Sequence, residues 1–240
     1  MPFKTVFKRC ELKYMITVSQ KEKILSEIGK YIRPDKYGKT TIRNIYFDTP
    51  DYRLIRRSIE KPNYKEKLRI RAYRTVEKNG TVFVELKKKY NGIVYKRRAA
   101  LEQDKAMRWL EGKKPPTENT QVIREIDYFL KYYKTLRPAL FLCYDREAYF
   151  TRDASDFRLT FDSNICCRES KLSLCEKPNG IKILPEEKLL MEIKCSGSIP
   201  LWMTAILSRE KIYKTPFSKY GTAYSTIIFP KLKEQNRYVK

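Results

Sequence analysis

From Lys67 to Tyr73 the chain reads Lys-Leu-Arg-Ile-Arg-Ala-Tyr. In an extended strand Lys67, Arg69, Arg71 and Tyr73 fall on one side and Leu68, Ile70 and Ala72 on the other. A helix would scatter the same residues around its axis, so a strand with one charged face is predicted. The pattern recurs. Val82, Val84 and Leu86 alternate with Glu85, Lys87 and Lys89, and the run from Ile93 to Ala100 contributes Lys96, Arg97 and Arg98. Tyr90-Asn91-Gly92 between these two runs reads as a hairpin turn. Leu140, Leu142, Tyr144 and Arg146 share one parity; Arg158, Thr160 and Asp162 alternate with Phe157, Leu159 and Phe161; Glu192 and Lys194 alternate with Met191, Ile193 and Cys195. Blocks of consecutive like charge make solvated tails, whereas these spacings make charged sheet faces.

Strands at Glu11-Leu12-Lys13-Tyr14 and around Arg43 to Asp48 bring the count to about seven or eight, a number that suits a closed barrel. Helical segments are fewer. Ser19 with Glu22 forms a capping-box pattern ahead of Ile24, Leu25, Ile28, Tyr31 and Ile32, a stripe that ends before Pro34. Glu118 to Tyr133 repeats the helical period, and a third helix follows Pro200. Gly112 to Asn119 reads as a loop, and no repeat or linker divides the chain. The expected fold is α+β: an eight-stranded antiparallel β-barrel with helices packed outside, in a single domain over residues 1–240.

Composition narrows the chemistry. Lys and Arg number 52 against 28 Asp and Glu, a net charge of 52 − 28 = +24, which points to a polyanionic partner. The aromatic share of 13% argues against a disordered basic tail. There is no histidine, which removes Cys/His and Ser/His catalysis and every His-containing metal site. The six cysteines form no CxxC pair and read as reduced packing residues. No apolar run is long enough to span a membrane, and Met1 to Lys13 lacks the apolar centre of a signal peptide, so the expected location is cytoplasmic.

Any one charged strand face can simply meet water. As a set, with the apolar faces against helices, the charged faces of a barrel must point inward. Arg69 and Arg71, about 7 Å apart along a strand, then repel by about 2 kcal/mol at an effective dielectric near 20. An anion in the lumen would relieve that repulsion. A narrow bore lined by cations suits a linear triphosphate or polyphosphate better than duplex DNA. Glu11, Glu85, Asp162 and Glu192 share faces with the cations, either as salt-bridge partners or as ligands for Mg²⁺ or Mn²⁺; the metal reading is favoured for Glu192.

One ordered series spans nearly the whole chain, from Phe7 to about Ile228. It runs Glu11-x-Lys13, Arg69-x-Arg71, Glu85-x-Lys87, Lys96-Arg97-Arg98, Tyr144-x-Arg146 with Arg158, Glu192-x-Lys194 and Ser218-Lys219-Tyr220. It resembles the VTC polyphosphate polymerase domain of the triphosphate tunnel metalloenzymes. The related CYTH branch begins Glu-x-Glu-x-Lys, and here Arg9 stands at the first Glu, which favours the polymerase branch. The resemblance implies an eight-stranded triphosphate tunnel in which Lys13, Arg69, Arg71, Lys87, Lys96, Arg146, Arg158 and Lys219 serve catalysis by contacting phosphates. Arg98, Tyr144 and Ser218 would bind substrate and Glu192 would hold Mn²⁺ or Mg²⁺. The implied reaction moves the ATP γ-phosphate onto a growing inorganic polyphosphate chain.

That chemistry suits what the sequence lacks. Phosphoryl transfer depends mainly on alignment and charge neutralisation, and a terminal phosphate acceptor is already ionised, so no general base is required. Two alternatives stand beside it: a metal-dependent tripolyphosphatase or nucleoside triphosphatase on the same scaffold, and a non-catalytic polyphosphate- or nucleic-acid-binding module.

Overall fold

The computed structural model describes residues 10–77, 79–91, 93–153 and 155–237. Arg9, on which the branch comparison turns, and Gly92 of the hairpin turn lie outside them. In chain order the elements are β1 (Cys10–Thr17), α1 (Val18–Ile28), β2 (Ile32–Pro34), β3 (Thr40–Asp48), α2 (Arg53–Ile59), β4 (Tyr64–Ala72), β5 (Thr81–Tyr90) and β6 (Ile93–Glu102). These are followed by α3 (Gln103–Leu110), α4 (Gln121–Tyr133), β7 (Arg137–Thr151), β8 (Arg158–Arg168), β9 (Ile181–Lys182), β10 (Lys188–Cys195) and α5 (Leu201–Arg209). The C-terminal stretch is helical: α6 (Lys219–Ala223), a π-helical turn (Tyr224–Ile228) and α7 (Phe229–Arg237).

The class is α+β with antiparallel ladders. The hydrogen-bonded order is β1-β10-β8-β7-β3-β4-β5-β6, with short β2 on β7 and β9 on β8. The eight strands of this path are those that alternation predicts. Among the described residues the path is open, ending at β1 and β6, and is not the closed ring that an eight-stranded barrel requires. Alternation decides which face a side chain takes, but closure depends on tilt and shear, which no residue pattern encodes directly.

The chain divides into two compact units. The first comprises Met1–Thr41, Tyr144–Ile165 and Leu184–Phe217; the second comprises Ile42–Cys143, Cys166–Ile183 and Ser218–Lys240. In the first, Ile16, Ile24, Ile28, Leu159, Met191 and Met203 form the core beneath β1, β8 and β10. The cap of helix α1 is Thr17, two residues before the predicted one. Thr17 Oγ1 accepts from Gln20 N–H at 3.1 Å while Gln20 Oε1 accepts from Thr17 N–H at 3.0 Å. The box forms there because extended backbone ends at Thr17. Ile32, expected on the helix, instead pairs with Thr151 in β2.

In the second unit, β4, β5 and β6 form a meander whose Leu68, Ile70, Val84 and Leu86 are fully buried in one cluster with Trp109 and Phe129. Burying each such aliphatic side chain stabilises by roughly 1.5–3 kcal/mol, so this apolar face fixes which way the charged face turns. Tyr90 pairs with Ile93 across a two-residue hairpin, and Asn91 adopts the positive φ of +45° that such a turn requires. Helix α4 starts at Gln121, three residues later than the period alone implies, capped by Thr120, whose hydroxyl accepts from Ile123 N–H. Among the described residues no helix is long and apolar enough to cross a membrane.

Candidate functional site

Each unit gathers predicted residues around buried carboxylates. In the second unit the centre is Glu85, 1% exposed. Register places it between Arg69 on β4 and Arg98 on β6, so three neighbouring strands deliver three charged groups to one spot. Arg69 donates from Nε at 2.9 Å and Nη2 at 2.7 Å to Glu85 Oε2, while Lys96 Nζ lies 2.7 Å and Arg98 Nε 2.8 Å from Oε1. Arg71 Nε stands 3.8 Å from Oε2 and donates at 2.9 Å to Asn44 Oδ1, whose amide donates to the Leu142 carbonyl. Arg69 Nη1 donates to Tyr46 Oη at 3.0 Å. Burial alone would raise the Glu85 pKa, but Arg69, Arg71 and Lys96 outweigh it and hold the carboxyl well below the usual range. Glu85 is therefore a salt-bridge hub. Against its single negative charge stand four cations, leaving a local excess of +3.

The first unit repeats the arrangement with more acid. Arg146 makes a bidentate pair with Asp162, Nε to Oδ1 and Nη2 to Oδ2, both at 2.6 Å. Its Nη2 also lies 3.3 Å from Glu192 Oε2; Lys194 Nζ is 3.5 Å from the same oxygen, and Lys13 Nζ is 3.8 Å from Oε1. Lys13 also approaches Glu11 at 3.4 Å and donates to the Phe217 carbonyl at 3.0 Å. The Arg146 guanidinium lies over the Tyr144 ring and that of Arg158 over Phe150. Burial favours the neutral form of Arg146, yet Tyr144, Asp162 and Glu192 hold its pKa well above the ordinary guanidinium value. Lys194 goes the other way, lowered by burial against the pull of Glu192 and Glu11.

The remaining predicted residues lie in the second unit. Lys87 sits between Lys67 and Lys96 in register. Ser218 caps α6, accepting from Gly221 N–H at 3.2 Å, and accepts from Lys67 Nζ at 3.0 Å. Lys219 follows it, almost fully buried. In the first unit Tyr144 is buried, its ring beneath the Arg146 guanidinium.

Several neighbours were not singled out from the sequence. Lys67 and Lys194 share parity with chosen residues, and that signal was available. Thr160, opposite Glu192 in register, holds a buried Oγ1 without a hydrogen-bond partner. Asp48 accepts from Thr49 and Leu54 N–H at 2.8 Å, from Ile55 N–H at 3.0 Å and from Tyr220 Oη at 3.0 Å. It thereby ties the start of α2 to α6, beside Lys219, and no spacing in the sequence announces that link.

The carboxylates allow a test for a divalent cation. Among the described residues no three Asp, Glu or Cys side chains converge as a cage. Asp162 takes a bidentate pair from Arg146 and Glu85 takes short pairs from Arg69 and Lys96, whereas Arg146, Lys194 and Lys13 stand 3.3–3.8 Å from Glu192, beside the Thr160 hydroxyl. That donor set fits a Mg²⁺-like ion that takes one carboxylate and draws its other ligands from phosphate and water.

The family model described as the VTC domain matches residues 8–228. No curated protein sequence matches the chain. Among solved structures, a candidate adenylate cyclase from Bacillus halodurans aligns with a TM-score of 0.52 at 18% identity, covering 87% of this chain and 92% of that one. A candidate adenylyl cyclase from Hippeastrum, described as revealing a dominant triphosphatase activity, aligns with a TM-score of 0.50 at 15% identity, covering 90% and 94%. At these identities the likeness is one of fold.

Proposed function

Because the chain belongs to the VTC domain family, we propose that it is an ATP-dependent polyphosphate polymerase, acting through a single VTC domain over residues 1–240. The observation that carries this reading is the cation excess around Glu85, where Arg69, Arg71, Lys96 and Arg98 crowd one carboxylate on a sheet face. A phosphate chain supplies the missing negative charge.

In this reading a terminal oxygen of the polyphosphate chain attacks the ATP γ-phosphorus. The bond from γ-phosphorus to the β,γ-bridging oxygen breaks, and ADP leaves with the electron pair. Arg69, Arg71, Lys87, Lys96 and Arg98 in one unit hold phosphate oxygens, as do Lys13, Arg146 and Arg158 in the other, and cations of this kind neutralise the charge that spreads over a transferring phosphoryl group. Lys219 contributes a further positive charge and Ser218 a hydroxyl. Mg²⁺ or Mn²⁺ at Glu192 supplies additional charge neutralisation when bound. Glu11, Asp162 and Glu85 are engaged with cations, so none is arranged as a base to activate water. That supports an acceptor already ionised over a water acceptor. A cytoplasmic location, where ATP is abundant, belongs to the same reading.

The Hippeastrum neighbour's triphosphatase activity motivates the second reading, hydrolysis of tripolyphosphate or a nucleoside triphosphate. Incubation with ATP and Mn²⁺, followed by gel detection of polymer and separate assay of free phosphate, divides the two. Polymerase activity yields polymer and ADP with little free phosphate. Free phosphate without polymer would establish the hydrolase instead.

A further inference from the structure

Register on β4, β5 and β6 sets side chains of the charged face in rows. Lys67, Lys87 and Lys96 form one row, Arg69, Glu85 and Arg98 the next, and every member of both is charged. The row after them, Arg71, Phe83 and Ala100, breaks the pattern with a ring and a methyl group. Phe83 lies on the side of β5 away from the apolar core, which its neighbours Val82 and Val84 fill, fully buried. It stays half-buried beside charged groups, and Ala100, opposite it in register, is exposed and too short to cover the ring.

A second ring joins it. Tyr73, just past the end of β4, sets its ring edge-on to Phe83, with centroids 5.6 Å apart and planes at 73°. Arg98 ties this pair to the cation cluster. Its guanidinium lies 4.6 Å from the Phe83 centroid and 5.7 Å from that of Tyr73; Nη2 donates to Tyr73 Oη at 2.7 Å, and Nε donates to Glu85 at 2.8 Å. An apolar ring gains nothing from water or from phosphate. A nucleobase is a different ligand: its π-face stacks on an aromatic ring, and a neighbouring guanidinium strengthens the contact. Successive rows are about 7 Å apart, so about 14 Å separates the Phe83 row from the Lys87 row. That is the reach of an extended nucleoside triphosphate from base to γ-phosphorus.

We propose that Phe83, with Tyr73 and Arg98 beside it, is a stacking platform for the base of ATP, and that it favours a nucleoside triphosphate over a triphosphate without a base. This rests on the reading that the cations of the same face hold the phosphates of ATP.

The test compares affinities of the full chain for ATP and for methyl triphosphate, which carries the same triphosphate and no base, in wild type, Phe83→Leu and Phe83→Tyr. Any disturbance of the cation rows acts on both ligands and cancels in the ratio of affinities. Phe83→Leu, apolar but without a ring, is expected to lower the ATP-to-methyl-triphosphate ratio about tenfold, and Phe83→Tyr to keep it within about twofold. In wild type itself, nuclear Overhauser contacts should join the adenine protons to a phenylalanine ring, and their absence overturns the platform without recourse to any variant. An unchanged ratio in Phe83→Leu also overturns it, as does an equal fall in Phe83→Tyr, which would make Phe83 a packing residue only. If wild type binds neither triphosphate, the proposed function itself fails, and that result is distinct from an unchanged ratio.

Discussion

Glu85 decides more about the second unit than any cation around it. Removing its charge leaves Arg69 and Arg71 facing Lys96 and Arg98 with no carboxylate between them. Glu85→Gln is predicted to destabilise by about 3 kcal/mol, the lower end for a broken buried pair because Lys96 and Arg98 reach water. Chemical unfolding of the variant against wild type at pH 7 checks this. The pH dependence has a definite sign. A carboxyl held below its unfolded value of about 4.3 contributes stability that is complete above that pH and is lost as pH falls through the folded value. The gap between wild type and Glu85→Gln should therefore be constant from pH 8 to 5 and narrow only in stronger acid; a gap that closes near neutrality would contradict the assignment. The task proposed for Glu192 is different. Glu192→Gln should abolish metal-dependent turnover while tripolyphosphate still binds, and unchanged turnover would remove it from the metal site. The sequence showed that both acids share faces with cations, but not which was locked. Parity gives a side chain's face but not how closely a cation approaches it, 2.7 Å for Arg69 at Glu85 against 3.3 Å for Arg146 at Glu192.

The elements were legible where one face is apolar and the other charged. Strands β4, β5, β6, β8 and β10 follow from alternation, because burying Leu68, Ile70 and Val84 admits no other register. Helix starts were less legible, since several polar residues near Thr17 can cap and the end of β1 selects one of them. Helices α2 and α3 and the π-helical turn escaped the reading because seven-, eight- and five-residue segments are too short to show a period. The Asp48–Tyr220 link belongs to this scale. Asp48 closes the first turn of α2 and holds α6 through the Tyr220 hydroxyl, while the Tyr220 ring stacks on Tyr46, which receives Arg69. Tyr220→Phe removes one donor from a buried carboxylate and should cost about 1–3 kcal/mol. Because the ring stack persists, the loss in phosphate affinity should track displacement of Lys219. Thermal unfolding and tripolyphosphate titration of Tyr220→Phe check both parts, and wild-type affinity would detach Asp48 from the site.

At the scale of the whole molecule the net charge of +24 is the property that the fold must tolerate. Self-repulsion was expected to fall on bare cations. In the structure Arg71 is instead held by Asn44 and lies near Glu85, and four cations crowd that one carboxylate on a sheet face. On the proposed reading such an arrangement binds a narrow polyanion, and thermal unfolding tests it directly. A ligand that binds only the folded chain stabilises by about 2.7 kcal/mol at a hundredfold excess over its dissociation constant. For a chain of this length that corresponds to a rise of roughly 5–10 °C in Tm. Tripolyphosphate should produce this rise, and duplex DNA at equal phosphate concentration should produce little, since a helix that wide cannot follow rows of side chains on one sheet face. Equal stabilisation by the two, or none by tripolyphosphate, would contradict the claim that these faces are built for a linear phosphate chain.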